Sequence, residues 1–231
     1  MVAELDPIVV ALSKAWLPHQ SKALQDPRVE VCFGDAAAFV ERRSSEIADD
    51  ADFDVVIVDN TDDGETSGHS DHLCSESFFK NCASCLSSHG VLSIQLGACC
   101  PIEDGGVQWS QAIPRNVSRL RAAGFASVEP YAVEVPSYAG LAVFALARVT
   151  APPRSTSSSE PQVNKLACPS RQRVQFTQAY SSASHEVVFK LPPPLASALA
   201  EDTLGSQREE ALDFDSDGDL VVPQRVAVAE K

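Results

Sequence analysis

The apolar positions of this chain switch repeatedly between an extended and a helical period. The clearest run is Phe53-Asp54-Val55-Val56-Ile57-Val58-Asp59-Asn60-Thr61-Asp62, in which four consecutive β-branched residues stop on two carboxylates three positions apart. A stretch apolar on both faces is the pattern of a central parallel strand covered by helices on each side. Before it, Asp6-Pro7 supplies an N-cap and a first-turn proline, and Ile8, Val9, Leu12, Ala15 and Trp16 follow at helical spacing. That helix is expected to run to about Leu17 and end at Pro18. Pro27 to Asp35 alternates and stops at Gly34-Asp35, which reads as a strand feeding a loop and a helix from about Ala36 to Arg43.

Beyond the acidic strand end, residues 62–70 are polar and glycine-bearing, hence loop. Ser75 to Leu86 predicts a helix with Phe78, Phe79, Cys82 and Leu86 inward, closed by Gly90. Val91 to Leu96 predicts the next strand. Val107 to Ala123 predicts a helix, broken in appearance by Pro114 and capped by Gly124. Ser127–Val135 and Leu141–Val149, separated by Pro136-Ser137-Tyr138-Ala139-Gly140, predict an antiparallel pair closing the sheet. The succession strand, helix, strand, helix implies a doubly wound α/β core over residues 1–150. A Pro- and Ser-rich linker follows over 151–165. Residues 166–200 are expected to return to the same domain, with a β-like Val187-Val188-Phe189-Lys190-Leu191 and a short helix after Pro192-Pro193-Pro194. Residues 201–231 are acidic and weakly patterned, and are expected to be a disordered tail.

Charge and cysteine content narrow the function. The 231 residues carry a formal net charge of −14, which disfavours a nucleic-acid backbone or an anionic membrane and suits a cationic ligand. Seven cysteines, an odd number at ordinary core positions, point to a reducing compartment, so a cytoplasmic protein is expected. No apolar run approaches the roughly 18 residues of a membrane span, and the N-terminus does not read as a signal peptide. In open α/β sheets ligands sit at the carboxyl ends of the strands, where Asp59 and Asp62 fall.

Taken in series, the motifs resemble the spermidine synthase family, the aminopropyltransferases that share the Rossmann-like fold of S-adenosylmethionine-dependent methyltransferases. Glu4-Leu5-Asp6 resembles the acidic strand end whose first carboxylate binds the nucleoside ribose. Gly34-Asp35-Ala36 resembles the loop whose Asp accepts from the adenine amino group, with Ala36 in place of the family's glycine. Asp59-Asn60-Thr61-Asp62 is similar to the family's Asp-Ser-Ser-Asp, and Ser75-Glu76-Ser77-Phe78-Phe79 to the helix start beyond it. Gly90-Val91-Leu92 with Gln95 resembles the next strand, Pro136-Ser137-Tyr138 the amine-side loop, and Tyr180 through His185 to Pro192 the final segment. The resemblance covers about Glu4 to Ala200. It begins after the family's N-terminal β-hairpin domain, first strand and glycine-rich loop. The expected fold is therefore a mainly parallel sheet without its first strand, with two unpaired edges and exposed apolar helix faces.

The resemblance implies transfer of an aminopropyl group from decarboxylated S-adenosylmethionine, as co-substrate, to putrescine. No tightly bound cofactor and no metal are implied, and a homodimer is. Asp59 would be the catalytic base, with Asp59, Asp62 and Tyr138 holding the amine and Glu4, Asp35 and Ala36 the nucleoside. A putrescine N-methyltransferase on the same scaffold and a non-catalytic polyamine-binding or partner-subunit paralogue remain open alternatives. Other patterns weigh less. Cys82-Ala83-Ser84-Cys85 has zinc or redox spacing but lies within a predicted helix without a second ligand pair, so core packing is expected. His185 reads as a packed residue. Asp213 to Leu220 matches the start of a calcium loop, yet Gln224 occupies the position of the bidentate Glu and Pro223 blocks the exiting helix.

Overall fold

The computed structural model describes residues 1–46, 53–59, 71–101, 107–135, 140–150 and 182–201. Strands β1 (Val2–Glu4) and β2 (Val31–Phe33) form a two-stranded parallel sheet, with Val2 beside Val31 and Glu4 beside Phe33. Helix α1 (Pro7–Trp16) lies between them in sequence, and α2 (Ala36–Glu46) follows β2. Asp6 caps α1 as its sequence requires: the carboxylate accepts from the Ile8 N–H, and Pro7 takes the first helical position, where no donor is needed.

A second sheet contains β3 (Phe53–Val58), β4 (Leu86–Pro101), β5 (Val107–Trp109), β6 (Ser127–Val135) and β7 (Gly140–Arg148). Its order is β3-β4-β7-β6, with β5 on the end of β4. The pairing is mixed: β3 and β4 are parallel, while β5 and β7 run antiparallel to β4 and β6 antiparallel to β7. Helices α3 (Glu76–Cys85) and α4 (Ala112–Ala122) pack on this sheet. Phe78, Phe79 and Cys82 on α3 and Ile113, Val117 and Leu120 on α4 are buried at helical spacing in one cluster with Leu92, Ile94 and Leu96 of β4 and Val143, Ala145 and Ala147 of β7. Each large side chain buried in this way contributes about 1.5–3 kcal/mol. Leu195 and Leu199 of the C-terminal helix α6 (Pro193–Glu201) enter the same cluster.

The differences from expectation have local causes. Leu86 is already extended as the C-cap of α3, so β4 starts there rather than at Val91, and Gly90 lies inside the strand. The strand also continues past Leu96 through a bulge between Gln95 and Gly97. Gly97 has φ +138°, and a Cβ on it would stand 3.0 Å from that of Ser110, so only glycine fits. Val107 to Trp109 pair with Cys99 to Pro101 instead of opening a helix. With α4 beginning at Ala112, Pro114 falls in the first turn, whose N–H groups lack helical partners in any case, and the helix is not interrupted. The β-like segment at Val187 is instead part of helix α5 (Ser182–Val188). Just beyond it, the Phe189 ring meets His185 and Tyr131 at 5.2 and 5.6 Å, so tertiary packing overrides strand propensity.

Among the described residues β1 pairs only with β2 and β3 only with β4, leaving each parallel unit an open edge. Half of the apolar run in β3 is also uncovered. Val56 and Val58 pack on the core, while Val55 and Ile57 are 58% and 72% exposed. Ile8, Val9, Leu12 and Trp16 of α1 are exposed as well, and neither α1 nor α2 has a buried residue. Open edges and bare apolar faces of this kind are places where further packing would bury apolar surface. Ile57→Ser should therefore shift stability by no more than about 0.5 kcal/mol, whereas Ile94→Ala should cost about 2–5 kcal/mol. Urea denaturation of the two variants checks this, and a large loss from Ile57→Ser would mean that its face is covered.

Candidate functional site at the carboxyl edge

Parallel neighbours cannot be joined by a hairpin, so the link from β3 to β4 must cross over, and α3 is that crossover. The start of α3 is thereby returned to the edge where β3 ends. Asp59 follows Val58 directly at that edge and is exposed. A 3-10 turn at Asp71–Cys74 precedes α3, and Ser75 fixes it to the helix: its hydroxyl donates to the His72 carbonyl at 2.8 Å and accepts from the Phe78 N–H at 3.2 Å. Arg119 of α4 donates to the Cys74 carbonyl at 3.1 Å, tying the same turn to the core.

The small sheet presents its acids at the corresponding end of its strands. Glu4 ends β1, and its Oε1 accepts from the Asp6 N–H at 2.9 Å. Its carbonyl accepts from the Gly34 N–H at 2.9 Å, which sets the turn after β2 beside the end of β1. Gly34 has φ +143°, a region that side chains avoid, and this places Asp35 at the head of α2. The Asp35 Oδ1 accepts from the Ala37 N–H at 2.8 Å, so the residue caps the helix that Ala36 begins. The same oxygen lies 3.3 Å from Nε2 of His72. Asp35 is thus joined to the turn before α3, which puts it on the edge that carries Asp59. A second tether lies further along α2, where the Cys85 thiol donates to the Val40 carbonyl at 3.7 Å.

Four of the sequence-derived candidates, Glu4, Asp35, Ala36 and Asp59, therefore stand at carboxyl ends of parallel strands. Asp62 and Tyr138 lie outside the described residues. The residues flanking the Tyr138 loop, Val135 and Gly140, pair with one another, and Leu141 pairs with Cys99, towards the carboxyl end of β4. A hollow of about 220 Å³ adjoins Asp35, walled by Cys32, Phe33, Phe39 and Arg42, with the Arg42 guanidinium 5.7 Å from the Phe39 ring centre. His72 was not singled out from the sequence. The signal was its place three residues before the Ser75 cap, in a turn pinned to the start of a helix.

Cys82 and Cys85 are buried, and burial, reinforced by Cys85, pushes the Cys82 thiol up to about 12. A thiol buried in this way favours its protonated form and packs as a small apolar side chain. His185 is 8% exposed among aromatic rings, a packed residue.

The family model of the spermine/spermidine synthase domain matches residues 1–155, more than half of the chain. The chain belongs to the spermine/spermidine synthase family. It is 29% identical over 202 residues to a polyamine aminopropyltransferase of Nitrosomonas europaea, covering 87% of this chain and 56% of the relative. To a polyamine aminopropyltransferase of Sodalis glossinidius it is 30% identical over 201 residues, covering 86% and 62%. The chain thus spans about three fifths of the length of these curated relatives. A spermidine synthase crystallised with the transition-state analogue AdoDATO superposes with a TM-score of 0.64 at 22% identity, over 86% of this chain and 60% of that one. The spermidine synthase of Thermotoga maritima gives 0.62 at 21%, over 86% and 59%. These likenesses establish the Rossmann-like fold shared within the spermine/spermidine synthase family.

The capping geometry of Asp35 separates its structural role from any role towards a ligand. Asp35→Ala should cost about 0.5–2 kcal/mol of stability through loss of the α2 cap, and Asp35→Ser should recover most of it, as urea midpoints will report.

Proposed function

We propose that this chain carries the substrate edge of a spermidine synthase-type enzyme, which transfers an aminopropyl group from decarboxylated S-adenosylmethionine to putrescine. The observation that carries the reading is the placement of Asp59, Asp35 and Glu4 on carboxyl strand ends within the segment matched by the family. The reaction is attack of a neutral amine nitrogen on the methylene carbon bonded to the sulfonium. The C–N bond forms as the C–S bond breaks, and its electron pair stays on sulfur, giving neutral methylthioadenosine. At neutral pH a diamine arrives protonated at both ends, since alkylammonium groups titrate near ~10 as lysine does. One proton must therefore leave while the other charge is held.

Asp59 accepts that proton, directly or through a water, and Asp62 neutralises the ammonium that remains. Tyr138 supplies a hydrogen bond and an aromatic wall for the methylene chain. On the donor side Glu4 receives the ribose hydroxyls and Asp35 the amino group of the base, with Ala36 beside it. The excess of acid over base in the chain attracts both cationic substrates.

Incubation with putrescine and either labelled decarboxylated or labelled intact S-adenosylmethionine tests the reading. Labelled spermidine supports it. N-methylputrescine would reassign the chain to methyl transfer, and binding without product would reassign it to a non-catalytic relative. Because β1 and β3 each leave an edge open, the 231-residue chain alone should turn over only in traces. Supplying a segment that adds a strand at these edges and a glycine-rich loop should raise activity. In that complemented protein Asp59→Asn should lower turnover by about 10²-fold or more with nucleoside binding nearly intact. Rapid turnover by the chain alone would contradict the importance given to the open edges.

A further inference from the structure

We propose that His72 is a positioning residue for Asp35, holding one carboxylate oxygen so that the other is presented to the exocyclic amine of the donor's base. The proposal rests on the reading of Asp35 as the base-recognising acid. Both contacts of the Asp35 side chain among the described residues fall on Oδ1: the Ala37 N–H at 2.8 Å and His72 Nε2 at 3.3 Å. A carboxylate held by a single capping bond can still turn about its own axis. A second donor from another element fixes its plane. Because an ionised carboxylate only accepts, Nε2 of His72 is the donor in this contact.

The element that brings His72 is itself fixed. Its carbonyl receives the Ser75 hydroxyl that caps α3, and Arg119 holds the Cys74 carbonyl two residues on. Both partners are about half exposed, at 49% and 48%, where an ion pair contributes little to stability. Its effect is then on orientation. With Oδ1 occupied, Oδ2 accepts from a base bearing an amino group and repels one bearing a carbonyl at that position. The pair therefore favours an adenine over a hypoxanthine nucleoside.

Calorimetric titration of the full chain with 5′-methylthioadenosine and 5′-methylthioinosine tests this. The unsubstituted chain should prefer the adenosine compound, and Asp35→Asn should abolish the preference. His72→Leu should weaken the adenosine compound roughly 3- to 10-fold, the size of one net hydrogen bond, and leave the inosine compound unchanged. His72→Gln, which keeps an N–H donor, should restore most of the preference. His72→Asn, too short to reach, should behave as Leu does and serves if the Leu variant fails to fold. Equal weakening of both compounds, or of neither, in the His72 variants overturns the positioning role while leaving Asp35 as the base-reading acid. If the unsubstituted chain has no preference, or Asp35→Asn keeps it, the reading of Asp35 falls and the proposal falls with it.

Discussion

The parallel pairing of β3 with β4 is the constraint on which the site depends. It sets Val56 and Val58 beside Leu92 and Ile94, and it obliges the chain to cross over through α3. The crossover buries Phe78, Phe79 and Cys82, starts at the edge where Asp59 stands and carries the chain back to the Phe53 edge, where β4 begins. Burial of the α3 face and placement of the acid are consequences of one topological requirement. The antiparallel partner β7 completes β4 on its other side and anchors the pair in the core.

Among the described residues the small β1–β2 unit has no strand partner in the larger sheet, and it meets that sheet's layer through α2. Asp35 meets His72 at the start of α2, and Val40 meets Cys85 further along it. These are weak contacts, and α2 has no buried residue. Glu4 and Asp35, the acids proposed to meet the nucleoside, thus sit on the less firmly held part of the molecule, while Asp59 sits on the better-packed part. A substrate bridging the two would add the contacts that the fold itself lacks.

Much of this was legible in the residues. Asp6-Pro7, the α3 face and the β6–β7 pair follow from capping chemistry and periodicity that tertiary structure reinforces. Asp59 was legible because it ends an apolar run and Asp35 because it ends an alternating one, while Glu4 was legible only through the resemblance to the family. What was not legible came from outside the local window. Leu86 to Gly90 form strand because β4 is long and paired, and Val107 to Trp109 because the end of β4 offers an edge. Val187 reads as strand by propensity, but the ring of Tyr131, distant in sequence and itself stacked on Phe144, meets Phe189. His72 was hidden for the same reason, since its partner lies 37 residues away.

The central claim is that Glu4, Asp35 and Asp59 share one edge of the molecule and face the same ligands. Backbone amide shifts of isotopically labelled protein, recorded while 5′-methylthioadenosine and then putrescine are added, test it most directly. The account predicts perturbations at residues 4–6, 34–37, 59 and 72–75, with Phe53, Leu86, Ser127 and Arg148 at the opposite edge unmoved. Perturbations centred on that opposite edge, or spread without preference over both, would contradict it.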